Sequence, residues 1–254
     1  MVGDITPKAA RRLAEQAFGD WREAEAFTPP PAPRVDPLPA PRVVVVDMPD
    51  AAEAAVVVTR AAIARTDRAY YAFLVANAAL GGGGSSRLNS EIRYKRALTY
   101  DAGSALIEGR TAGSLVAATL TRHDAAAQVV GLIAAQMHGL AAEPLPAAEL
   151  ATRRQLVIGN YGRAVETTDG LAGLLGNLAL QAVPLKELAR YTSAVDRIDA
   201  TAVQAVAARW FDPAGASVVV VGDAKQFVDE LRKTYPSLEV VGAADVALDD
   251  ARLR

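Results

Sequence analysis

Four consecutive glycines, Gly81 to Gly84, break this chain where its pattern changes most abruptly. Upstream, Asp67 caps an apolar helix that runs to about Leu80. Downstream, Ser85 or Ser86 starts a second helix, which carries Arg93. From Leu98 to Ile107 β-type residues alternate, so this second helix must end before Leu98 and Tyr100 falls in the strand that follows. Glycines allow a positive φ or a close backbone approach. Arg93 adds a permanent charge with a forked set of donors. Tyr100, seven residues on, adds a phenol donor. Such a pair can grip a peptide carbonyl, or the oxyanion it becomes. The chain carries nothing obvious that would make the attack.

The surrounding pattern is that of a mixed domain. Val43 to Val46 and Ala55 to Thr59 read as buried strands. Gly109 to Gly113 makes a hairpin turn between the Leu98 to Ile107 strand and a second one from Ser114 to Thr121. After Asp124 the period becomes helical, with Val129, Ile133, Met137 and Leu140 as an apolar stripe. Breaks near Pro144, Glu166 to Asp169 and Pro184 separate further helices. Asp199 caps another, with Val203, Val206, Ala207 and Trp210 on one face. Ser217 to Val221 is a continuous apolar strand, followed by a helix near Gln226 to Lys233.

At the N-terminus, Met1 to Trp21 reads as the end of a strand, a turn and a helix, with Thr6 as cap and Pro7 in the first helical position. Seven of the 14 prolines then cluster between Thr28 and Pro41, as expected of an extended, semi-rigid connector. Val2-Gly3-Asp4, a helix and Phe18 echo Val221-Gly222-Asp223, a helix and Tyr235. The echo suggests that the chain begins at the tail of one copy of a unit and contains one complete copy. The expected division is a remnant over residues 1–27, a linker over 28–41, the main domain over 42–241 and a polar tail over 242–254.

Composition narrows the function classes. The chain has 254 residues, 51% of them hydrophobic, enough for a sizeable core. A net charge of −2 and no long basic run argue against a nucleic-acid partner. Cysteine is absent, so disulfides and thiolate metal sites are excluded. No uninterrupted apolar run reaches about 18 residues, so no membrane span is expected. The start Met1-Val2-Gly3-Asp4 does not read as a signal peptide. His123 and His138 are the only histidines, without a neighbouring Glu-His pair, and a catalytic zinc needs three protein ligands. They read as helix-start and helix-surface residues. The glycine run is not a phosphate loop, because no Lys-Ser or Lys-Thr follows at the required spacing. Arg87, Arg93, Lys95 and Arg96 form a basic cluster that, taken alone, reads as a solvated helix face paired with Glu91. Tyr100, taken alone, reads as a strand residue with its hydroxyl at the surface.

The run LGGGGSSRLNSEIRYKRALTYDAGS, Leu80 to Ser104, resembles the C-terminal half of the pitrilysin/insulinase family of zinc peptidases, which also contains mitochondrial processing peptidase and the respiratory-complex core proteins. Arg197 to Ala224 resembles the closing segment of the same unit, and Val2 to Trp21 the end of a preceding homologous one. The resemblance implies an α+β fold, a mainly antiparallel sheet with helices packed on one face. Two such units make a half-shell, and two half-shells enclose a peptide chamber. It implies no metal in this chain and a zinc ion in the complementary half. Arg93 and Tyr100 match a family pair that contacts the substrate backbone and supports the transition state. Arg96, Gly82, Gly83 and Gly84 join them as implied substrate contacts. The implied partners are a peptide and a zinc-bearing homologous half, in a dimer. The other readings are a structural scaffold without peptidase role and a plain peptide-binding module. The sequence departs from the family at Ala97, where glycine is usual, and at Tyr94, where an acidic residue is common. High alanine, arginine and proline content suggests a bacterial source and leans the location towards the periplasm.

Overall fold

Six strands form one sheet: β1 (Val43–Asp47), β2 (Ala54–Ala62), β3 (Ala102–Ile107), β4 (Gly113–Thr121), β5 (Ser217–Gly222) and β6 (Glu239–Gly242). Their order is β3-β4-β2-β5-β1-β6. The computed structural model describes residues 1–22, 40–250 and 253, so most of the connector expected over residues 28–41 lies outside the described residues. Pairings β3–β4, β4–β2 and β2–β5 are antiparallel, while β1 lies parallel to β5 and to β6. The expected α+β class with a mainly antiparallel sheet is therefore the observed one.

Alternation along the strands separates two faces. Ala54, Val56 and Val58 of β2, Leu115 and Ala117 of β4, and Val218 and Val220 of β5 are buried on one side. That side carries the helices α2 (Tyr70–Leu80), α3 (Ala126–Ala142) and α7 (Ala200–Trp210). Helix α2 is apolar nearly all round and is buried nearly all round, as its sequence demands. It is covered in turn by α4 (Ala147–Glu166), which packs against α5 (Thr168–Leu180) and α6 (Glu187–Asp196). Phe73 and Phe211, both fully buried, meet with ring centroids 5.0 Å apart. The stretch His123–Ala142 is long and apolar enough to cross a membrane. Its residues Val129, Val130, Ile133, Met137 and Leu140 are instead buried in this core.

The other face of the sheet is open. Ala55, Val57, Val116, Ala118, Val219 and Val221 are only half-buried or exposed there, and Leu120 is 53% exposed.

Four elements differ from the sequence reading. Asp67 does not cap α2, which starts at Tyr70 after Ala69; its carboxylate instead accepts the Ala69 N–H at 2.7 Å in the turn before the helix. Val2 to Asp4 forms no strand, because no neighbouring strand among the described residues offers its backbone a ladder. Thr6 does cap helix α1 (Pro7–Phe18) as read, accepting the Ala9 N–H at 3.2 Å. No residue of α1 is buried, and Leu13, Phe18 and Trp21 are exposed. Strand β6, which follows α8 (Val228–Thr234), was not anticipated. It pairs Gly242 with Asp47, so the sheet reaches one residue past the expected domain end. Tyr100 precedes β3 by two residues rather than lying within it.

Candidate functional site

The glycine run holds the end of α2 against the sheet. The Gly81 carbonyl accepts the Ser104 N–H at 3.1 Å. A Cβ on Gly81 would sit 2.2 Å from that same nitrogen, so only glycine permits the approach. A Cβ on Gly82 would meet Ala78 Cα at 2.5 Å, whereas one on Gly83 or Gly84 would meet nothing closer than 3.6 and 3.8 Å. Gly82 is thus held by packing on α2 and Gly83 by its φ of +158°, which L side chains rarely adopt, while Gly84 has room.

Asn89 locks this loop to β3. It is 1% exposed, and its amide exchanges both hydrogen bonds with the Ala102 backbone, accepting at 3.2 Å and donating at 2.9 Å. It also donates to the Gly83 carbonyl at 3.2 Å. Asn77 donates to the Ser104 carbonyl at 3.2 Å and accepts the Ser104 hydroxyl at 2.7 Å. The outward backbone groups of Ala102 and Ser104 are therefore all occupied. An incoming peptide cannot extend the sheet at this part of the β3 edge.

Beyond Asn89 the chain makes one π-helical turn, Asn89–Tyr94, with Leu88 and Ile92 fully buried as its anchors. It then reverses at Ala97, whose φ is +52°. The Ala97 N–H returns to Arg93 O at 2.9 Å and the Leu98 N–H to Ile92 O at 3.0 Å, which closes the helical turn. Left-handed backbone at this position gives the physical reason that a glycine suits it.

Three threonines then fix the segment from Leu98 to Asp101. Thr99 donates to Leu120 O at 2.7 Å, Thr119 to Asp101 O at 2.7 Å and Thr121 to Leu98 O at 2.6 Å. Tyr100 is thereby presented on a pinned loop, 86% exposed. The Arg93 guanidinium carbon lies 4.9 Å from the Tyr100 ring centroid and 5.0 Å from that of Tyr94. The two side chains expected to act together are adjacent, stacked as a cation on an aromatic face. The stack leaves the phenol hydroxyl free. Tyr100, Thr99 and Asp101 border a groove of about 440 Å³ on the open face of the sheet, whose floor is Ala55, Val57, Ala118 and Leu120.

The neighbouring charges divide unevenly. Lys95 and Arg96 both bond the Glu91 carboxylate, and Arg96 also donates to Glu91 O at 3.0 Å. The hydrogen bond from Lys95, and then that from Arg96, holds Glu91 below the usual carboxylate range. Arg87 makes a two-pronged pair with Glu149 of α4 at 2.9 and 3.1 Å, not with Glu91. Of the four cations in this cluster, Arg93 alone makes no hydrogen bond or ion pair among the described residues. Arg96, expected at the substrate, has its charge compensated locally.

Among the described residues no group of three or more His, Cys, Asp or Glu side chains is placed to hold a metal. His123 is committed to backbone: Nδ1 accepts the Asp223 N–H at 3.2 Å and Nε2 donates to Ala51 O at 2.9 Å. The residues present do not fit a zinc site. Sequence reasoning missed Asn89, Asn77, Thr99, Thr119 and Thr121. The available signal was polar residues at inward strand positions, where Thr119 and Thr121 are 7% and 1% exposed.

A mainly antiparallel sheet of this order, backed by helices on one face, defines an α+β domain. The chain belongs to the peptidase M16 inactive domain family, whose sequence pattern matches residues 1–157. No curated protein matches it. Among solved structures it is similar to the peptidase M16 inactive domain from Pseudomonas fluorescens, at 21% identity and a TM-score of 0.74 over 87% of this chain and 52% of the other. It is similar to a protease from Helicobacter pylori, at 20% identity and a TM-score of 0.75 over 87% and 54%. It also resembles the periplasmic protease PqqL from Escherichia coli, at 17% identity and a TM-score of 0.64 over 86% and 24%. The chain thus spans about half the length, or less, of these structures.

Proposed function

We propose that this chain is the substrate-binding, non-catalytic half of a zinc-dependent metallopeptidase. Arg93 and Tyr100 contact the peptide backbone and support the developing oxyanion. The observation that carries this reading is the uncompensated Arg93 charge, stacked on an exposed tyrosine at the rim of an apolar groove. All five N–H donors of Arg93 are uncommitted among the described residues and so are available to a substrate carbonyl. With the β3 edge occupied at Ala102 and Ser104, beside Tyr100, a peptide at the pair lies on the open face rather than adding as a strand there.

The zinc belongs to a homologous partner half, and when bound there it supplies the Lewis acid and the activated water. This chain's part is electrostatic. A fixed cation and a phenol donor aimed at negative charge that grows during reaction stabilise the transition state more than the ground state. In this reading the glycine run faces the partner half, and Gly84 leaves room for its approach. The periplasm is the compartment we favour, in line with the likeness to a periplasmic protease.

The test is turnover of a peptide by the chain combined with its zinc-bearing half. Tyr100→Phe and Arg93→Ala should each lower kcat by about 10²–10³, the usual cost of one oxyanion donor, with zinc content and assembly intact. Unchanged cleavage in both variants would remove the substrate-gripping role and leave a scaffold.

A further inference from the structure

A second cavity, of about 330 Å³, opens at the N-terminal end of α2, beside the connection from α5 to α6. The glycine run lies at the opposite end of α2, roughly 16 Å away at 1.5 Å per residue. Nothing in the Arg93–Tyr100 reading uses this cavity.

Its wall contains Arg65, which is only 5% exposed. The guanidinium lies over the Tyr70 ring, 3.7 Å from its centroid. Its nearest carboxylate contact is Nε to Glu108 Oε2 at 3.8 Å, beyond hydrogen-bond distance. Glu108 is already served by the Tyr70 hydroxyl and by Asn177 Nδ2, the latter at 2.8 Å. Among the described residues the Arg65 side chain makes no hydrogen bond. Yet none of its nitrogens is sealed from solvent and unpaired. A buried guanidinium in that position directs its donors at the cavity. Solvent meets these donors in the free chain, and a ligand with several acceptors can replace that water.

The rest of the wall gives those acceptors a sign. Arg68, Lys186 and Arg190 line it with Arg65, against the carboxylates of Asp67 and Glu187. Glu187 is engaged by Arg190 at 3.5 Å and by the Tyr71 hydroxyl. Asp67 accepts the Ala69 N–H at 2.7 Å. Arg68 and Lys186 make no ion pair among the described residues. Glu108, just behind the wall, offsets Arg65 at 3.8 Å, so the net excess is one positive charge, and Arg68 and Lys186 are the lining cations without an ion pair.

We propose that this cavity is a binding site for a phosphoryl dianion, with Arg65 as its buried fork and Arg68 and Lys186 as its rim. The two cations without an ion pair, Arg68 and Lys186, face the two charges of the ligand. A guanidinium presents paired donors that suit phosphate oxygens. The volume falls at the lower end of small-molecule clefts, about 300–1,000 Å³. It therefore admits inorganic phosphate or a small phosphomonoester.

Calorimetric titration of the full chain tests this with inorganic phosphate, phenyl phosphate and acetate as separate probes. One saturable site is expected for phosphate or phenyl phosphate, with acetate weaker. The phosphate arms tell a free ion from an ester. Arg68→Ala and Lys186→Ala, both exposed and safe for folding, should each weaken phosphate roughly tenfold. Arg65→Lys keeps the charge without the fork and should weaken it at least as much, with the fold checked by circular dichroism. Three results would overturn the site: no saturable phosphate binding, acetate binding as tightly as phosphate, or phosphate affinity unchanged in both rim variants, which would mark an adventitious ion only.

Discussion

Ala97 stores strain that a single substitution should release. Its φ of +52° places an L-residue in left-handed backbone, where Cβ crowds the following carbonyl. That conformation costs about 1–2 kcal/mol for a non-glycine residue. Glycine avoids the cost, but it enlarges the unfolded ensemble by about 0.4–1 kcal/mol. The difference predicts that Ala97→Gly stabilises the chain by roughly 0.5–1 kcal/mol, since the hydrogen bonds that close the turn involve only backbone. For a domain of this size the melting temperature should rise by about 1–4 °C. Ala97→Val should go the other way, because a β-branched residue tolerates positive φ poorly. Urea unfolding followed by circular dichroism separates these outcomes, provided the slope of the transition is unchanged. If Ala97→Gly destabilises the chain, or Ala97→Val does not, the left-handed turn is not how the chain reverses between Arg93 and Tyr100. The geometry of the pair would then need another explanation.

Asn89→Ala should destabilise by about 1–3 kcal/mol, because it strips the Ala102 N–H and carbonyl of their partners; chemical denaturation gives the value. Burial is the main cause that raises Tyr70, Tyr71 and Tyr191, and Tyr191 is pushed up to about 12. A raised folded value favours the neutral phenol, so this contribution is complete below the ordinary tyrosine value near 10. It is lost as pH climbs from about 10 towards about 12. Phenolate absorbance from these three rings should therefore appear together with unfolding, and ionisation in the folded chain would contradict their burial. Leu13, Phe18 and Trp21 are exposed on and just after α1, so sedimentation should show self-association that Leu13→Glu with Phe18→Ser abolishes. A strictly monomeric parent chain would count against α1 as a docking element.

Much of this architecture is legible in the sequence, because local signals and tertiary packing agree. Tyr70 to Leu80 is apolar on every side and becomes the central helix. Thr6 and Asp199 both cap the helices they precede, accepting N–H groups at 3.2 and 2.8 Å. Strand β6 stayed hidden because Glu239 to Gly242 has only four residues, and its parallel place beside β1 depends on a partner almost 200 positions away. Adjacency of Arg93 and Tyr100 is foreshadowed by their spacing, but the means is not. Threonines on β4 hold Tyr100 outside the strand that its neighbours' alternation suggests. The division of charge is likewise tertiary. Glu91 reaches Arg96 five residues on through a widened π-helical turn, and Glu149 of α4 takes Arg87. No spacing rule along the sequence would single out Arg93 as the cation left over.

In the function proposed above, Arg93 and Tyr100 act as one unit on the substrate. A double-mutant cycle on kcat measures this most directly. Arg93→Ala, Tyr100→Phe and the double variant would each be combined with the zinc-bearing half and assayed on one peptide. Groups that act as a unit lose their function together. The double variant should be hardly slower than the worse single variant, with each single variant already down by about 10²–10³. Losses that multiply would show two independent contacts, and turnover unchanged in all three would show that the pair has no part in the reaction.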